Sequence, residues 1–235
     1  MLYVVGVDLG QAQDYSAVSV VEATGTEYLR TVTDLDPEFH RTREREERFS
    51  APPTSFDVTH LERLALGTPY PAVVARVGEV CAEVVRRLPS GSQWLLVVDE
   101  TGVGRPVVDL LEQAGLTPVA VTITGGDTVT GTGRQLRVPK RDLVATMSVA
   151  LQYRRLKIAN ALPMASVLAK ELTDFKVKID AKTAHDTYGA WREGQHDDLV
   201  LSVALACWGA ERWICSSPTP DDIVVPDDLP QITPY

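Results

Sequence analysis

Two short apolar runs of this 235-residue chain each end in an aspartate: residues 3–8 read YVVGVD, and residues 94–99 read WLLVVD. Runs of β-branched and other apolar residues of this length predict buried strands. A buried carboxylate is unfavourable unless it is paired, hydrogen-bonded or bound to a metal. We therefore expect Asp8 and Asp99 either to cap the turns that follow them or to belong to a polar site.

The alternation of side chains along the two strands favours a shared site. Counting by twos places Gly6 on the face of Asp8, and Val97 on the face of Asp99. The small Gly6 would let another element approach that face closely. If the two strands are neighbours in one sheet, both carboxylates reach the same edge, although capping of a turn remains the alternative for either one alone.

A third group of acids precedes an apolar helix late in the chain. Residues 194–208 read GQHDDLVLSVALACW, so that His196, Asp197 and Asp198 stand directly before the apolar run. Aspartates suit the N-cap and first turn of a helix, which is one explanation for them. The other is that the helix presents them to a cation, and hard oxygen ligands of this kind select Mg²⁺ or Mn²⁺.

The rest of the pattern predicts one α/β domain over residues 1–215 and a Pro/Asp-rich tail over 216–235. An antiparallel meander opens it and a βαβ unit follows, which together predict a mixed sheet flanked by helices. We expect a surface excursion at 36–69 and a loop or hairpin at 124–139. The predicted strands are 2–9, 15–23, 27–35, 94–100, 117–124 and 156–158, and the predicted helices are 70–88, 107–114, 140–153, 163–174 and 197–213.

Composition narrows the class of protein. The chain is 44% hydrophobic and 23% charged, as in ordinary globular proteins, with a net charge of −9. Positive charge is nevertheless concentrated in residues 134–157, which suits contact with a phosphate backbone, or else a solvated helix face. No apolar run approaches the roughly 20 residues of a membrane span. Three scattered cysteines favour a reducing, cytoplasmic setting and argue against a cysteine-bound zinc ion.

Five segments, in their order and spacing, resemble the nuclease domain of phage large terminases, which is a ribonuclease H-like (RuvC-like) nuclease. They are VGVDLGQAQDYSAVSVVE, VVDETGVGRPVVDLL, ITGGD, RVPKRDLVATMSVAL and HDDLVLSVALACW, and they span most of residues 3–213. The resemblance implies a ribonuclease H-like fold. It also implies a DNA endonuclease that cuts concatemeric viral DNA during genome packaging by phosphodiester hydrolysis with two Mg²⁺ or Mn²⁺ ions.

The resemblance also implies roles for individual residues. Asp8, Asp99 and one or both of Asp197 and Asp198 would be the metal ligands, and His196 would either lie near the leaving group or merely precede the helix. Four basic residues would grip DNA phosphates without reading bases; they are Arg134, Arg137, Lys140 and Arg141.

Large terminases normally carry an ATPase domain, yet no GxxxxGK[ST] motif occurs in this sequence. We therefore expect an isolated nuclease domain whose partners are double-stranded DNA, a terminase ATPase domain or small subunit and a portal protein, in the bacterial host cytoplasm if the chain is phage-encoded. One alternative is a Holliday-junction resolvase-like nuclease. Another is an actin-like or sugar-kinase-like ATPase, which shares the DLG…D opening. The third is a scaffold in which the acids are only caps.

Overall fold

The computed structural model of the chain describes residues 1–10, 14–25, 27–36, 41–102, 105–182 and 197–215. Within these ranges, it describes the backbone alone for residues 27–36, 41–50, 175–182 and 215. The strands are β1 Leu2–Asp8, β2 Ala17–Thr24, β3 Glu27–Asp36, β4 Arg41–Ser50, β5 Ser55–Arg63, β6 Gln93–Asp99, β7 Val119–Thr124, β8 Thr130–Thr132, β9 Gln135–Pro139 and β10 Leu156–Ile158. The helices are α1 Tyr70–Arg87, α2 Arg105–Gln113, α3 Lys140–Gln152, α4 Ala165–Lys182 and α5 Asp198–Cys215.

The predicted mixed sheet is confirmed, with eight strands in the order β10-β5-β2-β1-β6-β7-β9-β8. Strand β1 pairs antiparallel with β2 and parallel with β6, and β6, β7 and β9 continue in parallel. The central strands β1 and β6 are buried on both faces, which explains their nearly unbroken runs of apolar residues.

The interpretation of residues 36–69 as a surface excursion was wrong, because β5 supplies the third strand of the meander. It pairs antiparallel with β2 and buries Phe56, Val58 and Leu61 in the core. Strand β3, the predicted third strand, pairs with β4 in a separate two-stranded sheet instead. The alternation of apolar residues in β5 was obscured by the charged and Pro-rich residues around it.

Helices cover the two faces of the sheet with separate apolar clusters. On one face, α1 and α2 pack against the side of β1 that carries Val5 and Val7. On the other face, α5 packs against the side that carries Val4 and Gly6, and α3 and α4 cover α5 in turn. Every residue of α5 from Asp198 to Ala210 is buried, as expected for a helix that is apolar on all sides.

Three other predictions concern the second half of the chain. Residues 124–139 contain the hairpin of β8 and β9, which was one of the two predicted alternatives. Helix α4 extends beyond the predicted boundary at residue 174 to Lys182. The tail at 216–235 lies outside the described residues. Within the part of the chain that the structure describes, no helix has both the length and the apolar character needed to cross a membrane.

Candidate active site

Asp8 and Asp99 lie side by side on neighbouring strands. They are partners in the parallel register of β1 and β6, so their Cα atoms are about 4.8 Å apart. Both residues are buried, with Asp8 6% exposed and Asp99 fully enclosed. Two buried carboxylates at this separation disfavour each other's charge, which a cation between them would relieve. Together with Asp198 at the start of α5, they form what we call the acid edge.

The turn after β6 holds Asp99 in place. Oδ1 of Asp99 accepts a hydrogen bond of 2.7 Å from the backbone N–H of Thr101. The Thr101 hydroxyl in turn accepts the N–H of Ile123 at 2.7 Å, which ties the turn to β7. Asp99 therefore has the turn-capping role that the sequence left open. A carboxylate has two oxygens, so this role is compatible with metal binding through the other oxygen.

Helix α5 brings Asp198 to the acid edge. A Cβ atom on Gly6 would lie 2.1 Å from the carbonyl oxygen of Ser202, so the helix backbone rests directly on β1 at this point. Asp198 precedes Ser202 by one helical turn, about 6 Å of rise, and Asp8 follows Gly6 by two strand residues, about 6.6 Å. The two aspartates consequently occupy the same level of the fold.

Asp197 and Asp198 have different surroundings. Asp198 is the first residue of α5 and is 6% exposed. Asp197 is half-buried, and its backbone carbonyl accepts the N–H of Leu201 at 2.9 Å, which is the bonding of a helix N-cap residue. His196 lies outside the described residues.

Arg63, which the sequence reasoning missed, lies at the acid edge. It ends β5, and the register places it level with Ala17, which is level with Asp8. Its Nη2 forms an ion pair with Glu171 of α4 and lies 3.3 Å from Oδ2 of Asp198. Its guanidinium also stacks over the ring of Tyr15, 5.0 Å from the centroid.

Glu171 was also missed, and it links α4 to α5. Its Oε2 accepts the backbone N–H of Val200 at 3.3 Å, so that it caps the first turn of α5. Burial raises the pKa of Glu171 above the ordinary glutamate value, although Arg63 and the Val200 N–H both favour its charged form. Had β5 been recognised as a strand, Arg63 would have stood out as a charged residue at its end. Nothing in the sequence distinguishes Glu171.

The donors at the acid edge suit a hard divalent cation, because all of them are carboxylate oxygens at one end of a sheet. In the described part of the chain, however, no group of three or more His, Cys, Asp or Glu side chains lies close enough together to hold a metal ion. Asp8 and Asp99, side by side on β1 and β6, are the pair that could hold a cation. Oδ2 of Asp198 forms an ion pair with Arg63 at 3.3 Å, so a metal ion that took this oxygen would have to compete with Arg63.

The predicted DNA-binding residues divide into two groups. Arg137, Lys140 and Arg141 belong to the last residues of β9 and the start of α3, and β9 runs parallel to β7 and β6 toward the acid edge. Arg141 is paired with Asp127 at 2.5 Å. The side chain of Arg137 is exposed and has no hydrogen-bond or ion-pair partner among the described residues.

Arg134 lies elsewhere. It precedes β9, and its Nη1 donates to the carbonyl of Thr117, at the opposite end of β7, at 2.9 Å. Its guanidinium also lies 5.8 Å from the ring centroid of Trp213, near the end of α5. These contacts give Arg134 a structural role and separate it from the acid edge.

No protein-family model and no curated protein matches the sequence. Among solved structures, the chain is similar to the large terminase nuclease from thermophilic phage G20c, with 19% identity over 87% of this chain and 80% of that chain and a TM-score of 0.46. It is also similar to the human cytomegalovirus terminase nuclease domain, with 11% identity over 88% of this chain and 82% of that chain and a TM-score of 0.48. A manganese-soaked form of the cytomegalovirus domain gives a TM-score of 0.47 at 11% identity, over 87% and 81% of the two chains. These three solved structures are terminase nucleases.

Proposed function

We propose that the chain is a metal-dependent DNA endonuclease of the terminase nuclease type. The observation that carries the proposal is the pairing of Asp8 with Asp99, two buried carboxylates in register on adjacent parallel strands. Burying two like charges side by side costs free energy unless hydrogen bonds, opposite charges or a bound cation compensate, and one divalent cation would compensate both carboxylates at once.

In this proposal, Asp8 and Asp99 hold divalent ions from the sheet, and Asp198 completes the site from α5. Magnesium or manganese ions, two in number, would supply a hydroxide nucleophile at neutral pH and stabilise the leaving 3′ oxygen. Asp197 supports the start of α5. Arg137, Lys140 and Arg141 contact the phosphate backbone of double-stranded DNA without reading the bases.

The biological setting proposed is DNA packaging. The nuclease would cut concatemeric viral DNA in concert with a terminase ATPase domain or small subunit and a portal protein.

Plasmid cleavage by the purified protein tests the proposal. We expect nicking and linearisation with Mg²⁺ or Mn²⁺, none with EDTA, and none for Asp8→Asn under any of these conditions. Asp57→Asn is the matched control, because Asp57 accepts the Ser55 hydroxyl at 2.6 Å at the opposite end of the sheet. Intact plasmid under every metal condition, with a folded protein, would contradict the proposal. Preferential cutting of four-way junctions would indicate the resolvase alternative instead.

A further inference from the structure

The acid edge contains a cation that belongs to the protein itself. The side chain of Arg63 is 14% exposed, and its two acidic partners, Glu171 and Asp198, are 9% and 8% exposed. At such burial, carboxylates require compensating positive charge, and Arg63 supplies one positive charge to the two acids without any bound metal. We propose that Arg63 is the internal counter-ion of the acid edge and competes with a divalent cation for Asp198. This inference rests on the proposed function, since it takes Asp198 to be a metal ligand.

The contacts of Arg63 make its hold on Asp198 the one that a metal ion can replace. A single nitrogen, Nη2, serves both acids, so the pair with Asp198 is not a two-pronged guanidinium–carboxylate bond. Its 3.3 Å separation from Asp198 also exceeds the roughly 2.7–2.9 Å of strong charged hydrogen bonds. Arg63 would keep Glu171 as its partner after releasing Asp198. Its buried Nε has no acceptor among the described residues.

Competition of this kind has a measurable consequence, because two binding events that share one group are linked reciprocally. Removing the guanidinium leaves Asp198 without its neutralising arginine, so that the metal-free fold is destabilised and the affinity for a divalent cation rises. Removing Glu171 acts in the opposite direction. Arg63 then retains Asp198 as its acidic partner, and the divalent cation competes less well.

The experiment measures Mn²⁺ affinity by calorimetry and by the dependence of the melting temperature on Mn²⁺ concentration. Neither readout depends on DNA cleavage. For Arg63→Gln we expect a lower melting temperature in EDTA and an apparent Kd for Mn²⁺ that is tighter by about 5- to 150-fold, the range typical of coupled sites. For Glu171→Gln we expect a weaker Kd.

Arg155→Gln is the matched control. Arg155 is 16% exposed and also links the sheet to α5, through Glu211 at 3.0 Å, but it does so near the other end of the helix. Its loss lowers the melting temperature without changing the Kd for Mn²⁺. An Arg63→Gln affinity equal to or weaker than that of the wild type overturns the proposal, as does an equal gain in Arg155→Gln.

Should Arg63→Gln fail to fold in EDTA, Glu171→Gln carries the test. The proposal expects a weaker Kd for Mn²⁺ than in the wild type, and an unchanged or tighter value overturns it. The same measurements distinguish a failure of the counter-ion proposal from a failure of the proposed function. If the wild-type protein binds Mn²⁺ and cuts plasmid but Arg63→Gln has the same Kd for Mn²⁺, the counter-ion proposal alone is refuted. A protein in which no variant binds Mn²⁺ refutes the metal site as well.

Discussion

Helix α5 is attached to the sheet by an arginine at each end, and the surroundings of the two arginines differ. Near the C-terminal end, Arg155 donates to Glu211 at 3.0 Å and to the carbonyl of Pro53 at 2.7 Å, and its guanidinium lies 5.3 Å from the ring centroid of Phe56. One positive charge meets one negative charge there, and a neutral carbonyl and an aromatic ring supply the remaining contacts. This is the composition of a structural ion pair.

At the acid edge, Arg63 shares its charge between Glu171 and Asp198, beside two further buried carboxylates, Asp8 and Asp99. Negative charge therefore exceeds the charge of this arginine, whereas the pair at the other end is balanced. The comparison teaches that burial of an arginine against a helix does not by itself mark a functional site. The excess of carboxylates around it does.

The largest difference between the two ends should appear in catalysis. We expect Asp198→Asn to lower the cleavage rate by more than about 100-fold, because even the outer partners of metal ligands typically account for about 10–100-fold. Glu211→Gln should leave the rate unchanged, although it breaks the ion pair with Arg155. Single-turnover cleavage of plasmid by both variants measures this. Equal losses in the two variants would remove the distinction between the ends.

Two glycines test how closely each part of α5 must approach the sheet. In Gly6→Ala, the new Cβ would lie 2.1 Å from a backbone oxygen, that of Ser202, so the helix itself must move. We expect a loss of about 1–3 kcal/mol in the free energy of unfolding, together with reduced cleavage. Urea denaturation and the plasmid assay measure the two effects.

Gly209→Ala is the matched substitution at the other part of the helix. There the nearest atom is Cγ2 of Val97 at 2.7 Å, which belongs to a fully buried side chain and not to the backbone, so a side chain must shift in place of the helix. Alanine also favours a helix over glycine by up to about 1 kcal/mol, which offsets part of the cost, so we expect a smaller destabilisation than for Gly6→Ala. A destabilisation as large as that of Gly6→Ala would show that both contacts are equally rigid.

The basic residues allow a smaller test. Arg137→Ala should weaken DNA binding and reduce the slope of log K against log salt by about 1, because an exposed phosphate contact is lost. Arg134→Ala should leave that slope unchanged. It should instead lower the free energy of unfolding by about 1–2 kcal/mol, through the loss of the Thr117 and Trp213 contacts. Fluorescence anisotropy at several salt concentrations, with urea denaturation, measures both. A reduced slope in Arg134→Ala would contradict its structural role.

The smallest effect concerns Glu62, the sequence neighbour of Arg63, which pairs with Arg76 of α1 at 2.9 Å. Burial raises the pKa of Glu62, but the hydrogen bonds and charge of Arg76, helped by His60, outweigh it and hold the pKa below the ordinary value of 4.5. A lowered folded-state pKa stabilises the fold above the unfolded value, and this contribution is lost as the pH falls through the folded value.

We therefore expect Glu62→Gln to lower the free energy of unfolding by less than about 1 kcal/mol at pH 7, as for other ion pairs near the surface. The difference from the wild type should shrink toward zero as the pH falls below 4.5. Urea denaturation at pH 7 and pH 3 measures it. A difference that is independent of pH would mean that the charge of Glu62 contributes nothing, and that only its packing matters.

Local pattern was sufficient to predict most elements and part of the site. Strands β1 and β6 follow from runs of apolar residues, and the aspartates at their ends follow from the cost of burying a carboxylate. Helix α5 follows from a long apolar run preceded by acids. These features are properties of neighbouring residues, so the sequence alone determined them. The same reasoning failed for β5, because its alternating residues lie within a charged and Pro-rich region.

The tertiary structure decided what these elements bring together. The register of β1 with β6, the contact of Gly6 with α5 and the association of Arg63 with Glu171 and Asp198 all join residues that are distant in the chain. Such contacts depend on strand order and helix packing, which local periodicity does not encode. Tertiary structure also separated Arg134 from Arg137, three residues apart in sequence, because β9 carries them toward opposite ends of the sheet. The free-energy cost of burying a carboxylate can thus be read from the local sequence, whereas the residue that neutralises it is determined by the tertiary structure.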